Sequence, residues 1–274
     1  MKALTLFASL ALIVSANAQK PDELIPFKDT GKDKLQLHVF KPKGWKADDK
    51  RPAIVFFFGG GWVGGSPSQF YPHSRHLADK GMVAISAQYR TKKSHGTDPF
   101  TCIEDGKSAI RWVRANAAKL GIDPDKIAVG GGSAGGHVAA CTGVLKEFDN
   151  PNEDTKTSSV PQAMVLFNPV IDTSKKGYGA KALADKWKAA SPVHNVHKAV
   201  PPTFIVHGTG DTTVPFANQE DFQKKMKALG LRCELHAYED RKHGFFNQGR
   251  GGDVDYKATV EQMDAFLTSL GFLK

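Results

Sequence analysis

Cysteine is scarce in this chain, which leaves little room for disulfide bonding. Only three cysteines occur among 274 residues, Cys102, Cys141 and Cys233, so at least one has no intramolecular partner. A free cysteine in a helix or strand is usually a small buried hydrophobic residue. No Cys/His spacing resembles a zinc site, and His73 with His76, three residues apart on a possible helix, lack an obvious third ligand. We therefore expect no bound metal.

Long apolar runs are absent as well. The apolar stretch at residues 3–14 is too short to span a bilayer comfortably, and it lies between a charged end, Met1-Lys2, and the cleavage-like run Ser15-Ala16-Asn17-Ala18. This pattern predicts a secretory signal peptide over residues 1–18, and no cysteine follows it to carry a lipid anchor. We expect an exported protein, periplasmic or secreted, with no stable membrane anchor.

The rest of the chain, residues 19–274, shows no internal repeat, linker or low-complexity tract. Its length suits one domain with a single substantial core. The formal charge of +9 is spread along the chain, and no basic cluster interleaved with aromatic residues marks a nucleic-acid surface. Diffuse basicity is usually a solvated exterior, and attraction to acidic polymers such as uronic-acid-bearing polysaccharides stays open as the alternative.

A serine at the centre of a glycine-rich turn is the first candidate functional residue. Gly131-Gly132-Ser133-Ala134-Gly135 follows the strand-like run at 127–129 and precedes a helix-prone stretch at 137–145. This strand, sharp turn and helix is the context of a nucleophile elbow. The strained turn leaves no space for side chains two residues before and after the serine, which explains Gly131 and Gly135. Ser133 is therefore the predicted nucleophile.

A serine hydroxyl needs a base and a group that orients the base, and both candidates lie downstream. Asp211 follows the apolar run at 203–206, and His243 follows the predicted strand at 233–238. The chain order Ser, acid, His is that of α/β-hydrolases. Asp240 competes for the acid role, but it lies too close in sequence to His243 for the usual arrangement on separate loops.

An early glycine turn offers backbone donors for a developing oxyanion. The apolar run at 53–58 opens into Gly59-Gly60-Gly61-Trp62, which matches the HGGG-type loop of lipases and esterases except that Phe58 replaces the histidine. The match predicts the N–H groups of Gly60, Gly61 and Ala134 as donors. The alternative is an ordinary glycine-rich turn.

Alternating strands and helices predict the α/β class with a single doubly wound, mostly parallel sheet and helices on both faces. The run at 35–39 alternates like an antiparallel strand, and the later strands are continuous apolar runs. Helices are expected from Asp98-Pro99 to about Gly121, near 215–230 and near 254–270. The interval 172–200, where α/β-hydrolases commonly insert a lid, is short and lysine-rich, which favours an exposed site if the chain resembles them.

Several residues beside these motifs have two interpretations. Trp62 and Phe245 flank the glycine loop and the predicted base, so they either line a small substrate pocket or simply pack. Asp105, Arg111 and Asn168 are expected to be structural or to support the site indirectly.

Together these motifs resemble the α/β-hydrolase superfamily, near hormone-sensitive-lipase-like carboxylesterases and bacterial acetyl-xylan and feruloyl esterase-like hydrolases. The sequences that carry the resemblance are Phe58-Gly59-Gly60-Gly61-Trp62, Gln88-Tyr89-Arg90, Gly131 to His137, Ser191-Pro192, His207 to Asp211 and His243-Gly244-Phe245. In this fold Cys102 and Cys141 fall on helices of the same sheet face, which leaves a bridge between them open.

The resemblance implies a serine carboxylic-ester hydrolase that acts on short-acyl esters through an acyl-enzyme, without a cofactor. Deacetylation of a carbohydrate or polysaccharide such as xylan is the expected reaction, on a small-molecule or polymeric ester. A serine peptidase of the dipeptidyl or acylaminoacyl-peptidase type and a catalytically silent binding module are the alternatives. The sequence does not predict the oligomeric state.

Overall fold

Eight strands form one sheet in the computed structural model, which describes residues 20–274. In chain order they are β1 (Glu23–Asp29), β2 (Lys34–Phe40), β3 (Arg51–Phe57), β4 (Val83–Ala87), β5 (Ile122–Gly132), β6 (Ala163–Phe167), β7 (Thr203–Gly208) and β8 (Cys233–Tyr238). The order across the sheet is β1-β2-β4-β3-β5-β6-β7-β8. β2 pairs antiparallel with β1 and β4, and all other neighbours are parallel. The predicted doubly wound, mostly parallel sheet is confirmed. The signal peptide predicted at 1–18 lies outside the described residues.

The predicted apolar runs become the central strands because both faces of those strands are covered. Every residue of β4, β6 and β7 is buried, as expected for parallel strands between two helical layers. The alternating run at 35–39 lies in β2, which is antiparallel and nearer the edge. β1 forms the edge itself and is mostly exposed, so its sequence has no strong apolar pattern.

Eight α-helices accompany the strands within the described residues. They are α1 (Tyr71–Asp79), α2 (Lys92–His95), α3 (Pro99–Ala115), α4 (Ala117–Leu120), α5 (Ala134–Val144), α6 (Ala180–Leu183), α7 (Ala217–Ala228) and α8 (Val254–Ser269). Two differ from expectation. The helix predicted to reach Gly121 is interrupted at Asn116, which leaves helical geometry with φ −106° and ψ 15°. α5 begins earlier than expected, because its first residue follows the elbow serine directly.

The helices divide between the two faces of the sheet. α1 and α8 pack on one face, where Leu77 and Phe266 are buried with Phe56 of β3. α3, α5 and α7 cover the other face, where Val138 and Phe222 join the larger core. In this three-layer arrangement the carboxyl ends of the parallel strands lie at one edge of the sheet, where open α/β sheets bind their ligands.

Two residues predicted to be structural, Asp105 and Arg111, are held in ion pairs. Asp105 is fully buried and lies 2.7 Å from an Arg90 nitrogen and 2.8 Å from Lys28 Nζ. Arg111 pairs with Asp149 and Glu153. These partners compensate the cost of burying the charges.

The cysteines form no disulfide in the described part of the chain. Cys102, Cys141 and Cys233 are all free and buried, so the bridge left open between Cys102 and Cys141 does not form. Burial raises the pKa of Cys233 to about 12, which keeps its thiol protonated. No helix within residues 20–274 is long and apolar enough to cross a bilayer.

Candidate active site

Ser133 occupies the sharp turn between β5 and α5. Its backbone angles, φ 54° and ψ −122°, lie outside the regions that residues with side chains normally adopt, and its N–H donates to the Phe167 carbonyl at 3.0 Å. A Cβ on Gly131 would lie 2.4 Å from the carbonyl oxygen of Gly135, and one on Gly135 would lie 2.2 Å from that of Phe57. The steric role predicted for both glycines is therefore confirmed.

His243 links the serine to an acid, as the sequence predicts. His243 Nε2 lies 2.8 Å from Ser133 Oγ, and His243 Nδ1 lies 2.6 Å from Asp211 Oδ2. The imidazole side chain is 24% exposed, whereas the carboxylate is fully buried. The competing Asp240 is exposed and its N–H donates to Thr209 Oγ1. The structure thus brings together three side chains from the ends of β5, β7 and β8.

The Asp211 carboxylate is held ionised by four hydrogen-bond donors. Burial alone would raise the pKa of Asp211. The hydrogen bonds from His207, His243 and the Val214 N–H lower the pKa by more than burial raises it, so the pKa stays well below its usual range. The N–H groups of Thr213 and Val214 donate to Oδ1 at 2.8 and 3.0 Å. A permanently charged carboxylate orients the imidazole and stabilises it when it becomes protonated.

His207 is a contributor that sequence reasoning missed. Its Nε2 lies 3.2 Å from Asp211 Oδ2 and 3.0 Å from the Val214 carbonyl oxygen, and the ring is fully buried. One N–H directed between these two oxygens fixes the loop that carries the acid. Its position four residues before Asp211, at the end of β7, was the available signal.

The glycine loop after β3 faces Ser133 with free backbone donors. Gly60 and Gly61 have φ values of 132° and 62°, which glycine alone adopts easily. Within the described residues neither N–H donates to another group of the protein, and both glycines line the same pocket as Ser133. Ala134 is the first residue of α5, so its N–H has no partner within the helix. This arrangement matches the predicted oxyanion hole.

Phe58 stands where the HGGG-type loop has histidine, and it supports the glycine loop through contacts with Tyr89. Its ring stacks on Tyr89 with centroids 4.2 Å apart, and the Tyr89 hydroxyl donates to the Phe58 carbonyl at 2.6 Å. Gln69 adds a second anchor, because its Oε1 accepts from the Gly59 N–H at 2.6 Å and its Nε2 donates to Asn247 Oδ1 at 3.0 Å. The glycine loop is therefore tied to the loop that carries the base.

Asn168 supports the site indirectly, as expected from the sequence. It follows β6, is fully buried, and has φ 33°. Its Oδ1 accepts from the Gly244 N–H at 2.8 Å, directly beside His243. Asn168 therefore holds the backbone of the His243 loop, and Asn is the side-chain-bearing residue that tolerates a positive φ best.

Ser133 opens into a cavity of about 270 Å³. Tyr178 and Phe246 are the aromatic residues that line it, together with polar groups of Gln69 and Asn247 and the Arg250 side chain. A small cavity next to the nucleophile accommodates a short acyl group better than a long chain.

The prediction that Trp62 and Phe245 line this cavity is wrong. Trp62 is only 3% exposed and packs between His137 and Tyr178, with ring centroids 5.1 and 5.5 Å away. Phe245 is 6% exposed, packs on Tyr238 and faces a neighbouring depression instead. Both therefore support the site from beneath its surface.

The predicted lid segment, 172–200, contains α6 and short 3-10 turns. Tyr178 reaches from it over the glycine loop, where its hydroxyl would lie 2.8 Å from a Cβ on Gly61. His137 of α5 holds the segment by donating to the Ala190 carbonyl at 2.7 Å, and burial lowers the pKa of His137 to about 4, so it stays neutral. The segment is short and leaves the cavity open.

Comparison with known proteins agrees with this geometry. The model of the family described as BD-FAE matches residues 37–178. The chain belongs to the BD-FAE family. The model of the dienelactone hydrolase family matches residues 163–273, which include both the acid and the base. These matches, together with the esterases described next, confirm the predicted membership among α/β-hydrolase carboxylesterases.

Solved structures similar to this BD-FAE protein include esterases, and so do its curated relatives. The apo form of Thermogutta terrifontis esterase 2 is 47% identical, with a TM-score of 0.89 over 92% of this chain and 96% of the other. Esterase LipQ of Mycobacterium tuberculosis is 28% identical over 81% of this chain and 56% of its own length. Carboxylesterase NlhH of the same species is 40% identical over 34% of this chain and 28% of its own length. The chain spans about half the length of the first curated relatives it matches.

Proposed function

We propose that this protein is a serine carboxylesterase that hydrolyses short-acyl esters. The observation that carries the proposal is the pair of hydrogen bonds from Ser133 to His243 and from His243 to Asp211, at 2.8 and 2.6 Å. Distances in this range are those required for proton transfer from a hydroxyl to a neighbouring base. The free N–H groups of Gly60 and Gly61 beside the serine supply the second requirement of acyl transfer.

In the proposed reaction, neutral His243 takes the Ser133 proton while Oγ attacks the ester carbonyl. The N–H groups of Gly60, Gly61 and Ala134 stabilise the resulting oxyanion, and the Asp211 carboxylate stabilises the imidazolium. The imidazolium then gives its proton to the leaving alcohol as the C–O bond breaks. Water, deprotonated by the same histidine, releases the acid from the acyl-enzyme.

The size of the cavity supports a short acyl group. Its volume is about 270 Å³, and the Tyr178 and Phe246 side chains line it. Structures of Thermogutta terrifontis esterase 2 with propionate and butyrate bound show that this similar protein holds short carboxylates. We therefore expect acetyl to butyryl esters to be hydrolysed fastest.

Within that class, acetyl groups on a carbohydrate such as xylan are the substrate we favour. The lining includes the polar side chains of Gln69, Asn168, Asn247 and Arg250, which suit a hydroxyl-rich alcohol better than a lipid. The short, lysine-rich segment 172–200 leaves room for a polymer. We also retain the proposal that residues 1–18 direct export, which N-terminal sequencing of the periplasmic and secreted protein would test.

Replacement of Ser133 by alanine tests the mechanism. Since the triad acts as a unit, kcat on p-nitrophenyl acetate should fall about 10⁴- to 10⁶-fold, and labelling by a fluorophosphonate probe should disappear. A loss of less than about tenfold would exclude Ser133 as the nucleophile.

The substrate is tested separately, on the wild-type protein. Acyl-chain profiling with p-nitrophenyl esters should be run beside acetate release from acetylated xylan and cleavage of aminoacyl-p-nitroanilides. Efficient nitroanilide cleavage would favour a peptidase, and an inert serine would favour a silent binding module.

A further inference from the structure

The catalytic cavity carries a permanent positive charge that the proposed chemistry does not use. Arg250 lines the cavity together with Ser133 and His243, and in the described part of the chain no Asp or Glu lines it. Asp211 lies behind the imidazole and is committed to His243 and His207. A substrate in this cavity therefore meets a cationic rim.

The Arg250 guanidinium has no carboxylate partner among residues 20–274, although acidic residues are close in sequence. Asp255 pairs instead with Arg241 at 2.7 Å, and Asp253 accepts from the Gly249 N–H. Arg250 is exposed, and its Cζ would lie 3.6 Å from a Cβ built on Gly244. The guanidinium therefore lies against the backbone beside His243 with its donors available.

Arg250 also borders a second depression, which is open and has a volume of about 450 Å³. His243 and Arg250 line both depressions, and Lys242 and Phe245 line only the outer one. Because the imidazolium of His243 hands its proton to the leaving alcohol, the alcohol part of an ester lies on the His243 side. The alcohol part therefore extends past Arg250 into the outer depression.

We propose that Arg250 forms a carboxylate-binding subsite for the alcohol part of the substrate. The favoured esters then carry a carboxylate near the acylated hydroxyl, as in an acyl ester of a uronic acid or of an aromatic hydroxy acid. A guanidinium binds a carboxylate through two parallel N–H donors, which adds geometric specificity to the charge attraction. Asp255 and Arg241 also line the outer depression but pair with each other at 2.7 Å, so Lys242 adds a second positive charge that this carboxylate does not neutralise. This inference rests on the proposed esterase function.

The test compares a charged and a neutral ester of the same shape, 4-acetoxybenzoate and 4-acetoxybenzamide, in wild-type protein and Arg250→Gln. An exposed ion pair strengthened by bidentate hydrogen bonding predicts a loss of about five- to twentyfold in kcat/KM for the benzoate. The benzamide should change less than about twofold. Arg250→Lys should recover part of the benzoate rate, since it keeps the charge but not the planar pair of donors.

Two controls separate a local subsite from the general charge of the protein. Lys224→Gln removes an exposed positive charge from α7, which borders neither depression, and should leave both rates unchanged. Mono-p-nitrophenyl succinate, compared with p-nitrophenyl butyrate, places the carboxylate on the acyl part, where Arg250→Gln should have no selective effect.

The proposed subsite is refuted if Arg250→Gln lowers kcat/KM equally for the benzoate and the benzamide. It is also refuted if the selective loss of kcat/KM occurs only with the succinate. Failure of the esterase proposal looks different, because wild-type protein would then hydrolyse none of these esters and would resist the fluorophosphonate probe.

Discussion

Replacement of Asn168 by glycine should lower kcat by more than its small effect on stability explains, because Asn168 positions the loop that carries His243. Asn168 Oδ1 accepts a 2.8 Å hydrogen bond from the Gly244 N–H, and both residues are buried. Glycine removes the acceptor without adding backbone strain, because it adopts the observed φ of 33° easily. The buried Gly244 N–H is left without its partner, which costs about 1–3 kcal/mol of unfolding free energy.

The larger consequence is expected in catalysis. His243 precedes Gly244, so a loosened loop shifts the imidazole relative to Ser133, and a shift on the order of 1 Å costs about 100-fold. We expect kcat on p-nitrophenyl acetate to fall roughly 10- to 100-fold with a smaller change in KM. Steady-state kinetics and urea unfolding on the same preparations measure the two effects.

Two further variants make the reasoning refutable. Asn168→Ala loses the same acceptor but places a side chain at positive φ, so it should match the glycine variant in kcat and be about 0.5–1 kcal/mol less stable. Asn116→Ala removes a side-chain bond to the Trp112 carbonyl at the far end of α3 and should lower stability without lowering kcat. If kcat of Asn168→Gly stays within twofold of wild type, or if the loss of kcat follows stability across all three variants, Asn168 does not position the base.

The remaining predictions concern the acid, the elbow and the glycine loop. The pKa of Asp211 in the folded protein is below its unfolded value of about 3.9, so its stabilisation is present above about pH 4 and is lost as the pH falls through the depressed value. At pH 7 the free energy of unfolding of wild type should exceed that of Asp211→Asn by an amount on the order of 1–3 kcal/mol. This difference should become smaller in urea titrations toward pH 3. A difference that grows instead would contradict the lowered pKa of Asp211. Gly135→Ala should destabilise the protein by at least about 3 kcal/mol in thermal unfolding, because its Cβ would lie 2.2 Å from two backbone carbonyl oxygens. The control is Gly64→Ala, whose Cβ would have no neighbour within 4 Å and which should fold normally. Gln69→Ala removes the anchor of the glycine loop and should lower kcat about tenfold while fluorophosphonate labelling persists, and an unchanged kcat would show that the Phe58–Tyr89 stack is sufficient.

Features that depend on consecutive residues could be predicted from the chain alone. Gly131, Ser133 and Gly135 can satisfy only a sharp turn, and the apolar runs that become β3, β5, β6 and β7 can bury both faces only in the middle of a sheet. Because parallel strands of such a sheet end at one edge, the order of Ser133, Asp211 and His243 along the chain was enough to predict that they meet.

The identity of the side chains that complete the site depends on packing between distant parts of the chain. Trp62 and Phe245 are near predicted site residues in the sequence, yet Tyr178 and Phe246 line the cavity, because the direction of an aromatic ring depends on packing partners that are distant in the chain. The hydrogen bonds from Gln69 to Asn247 and from Gly244 to Asn168 join residues 178 and 76 positions apart. No local sequence pattern predicts such a pair. Each polar group is buried only in the folded protein, and it then binds the one donor or acceptor within reach.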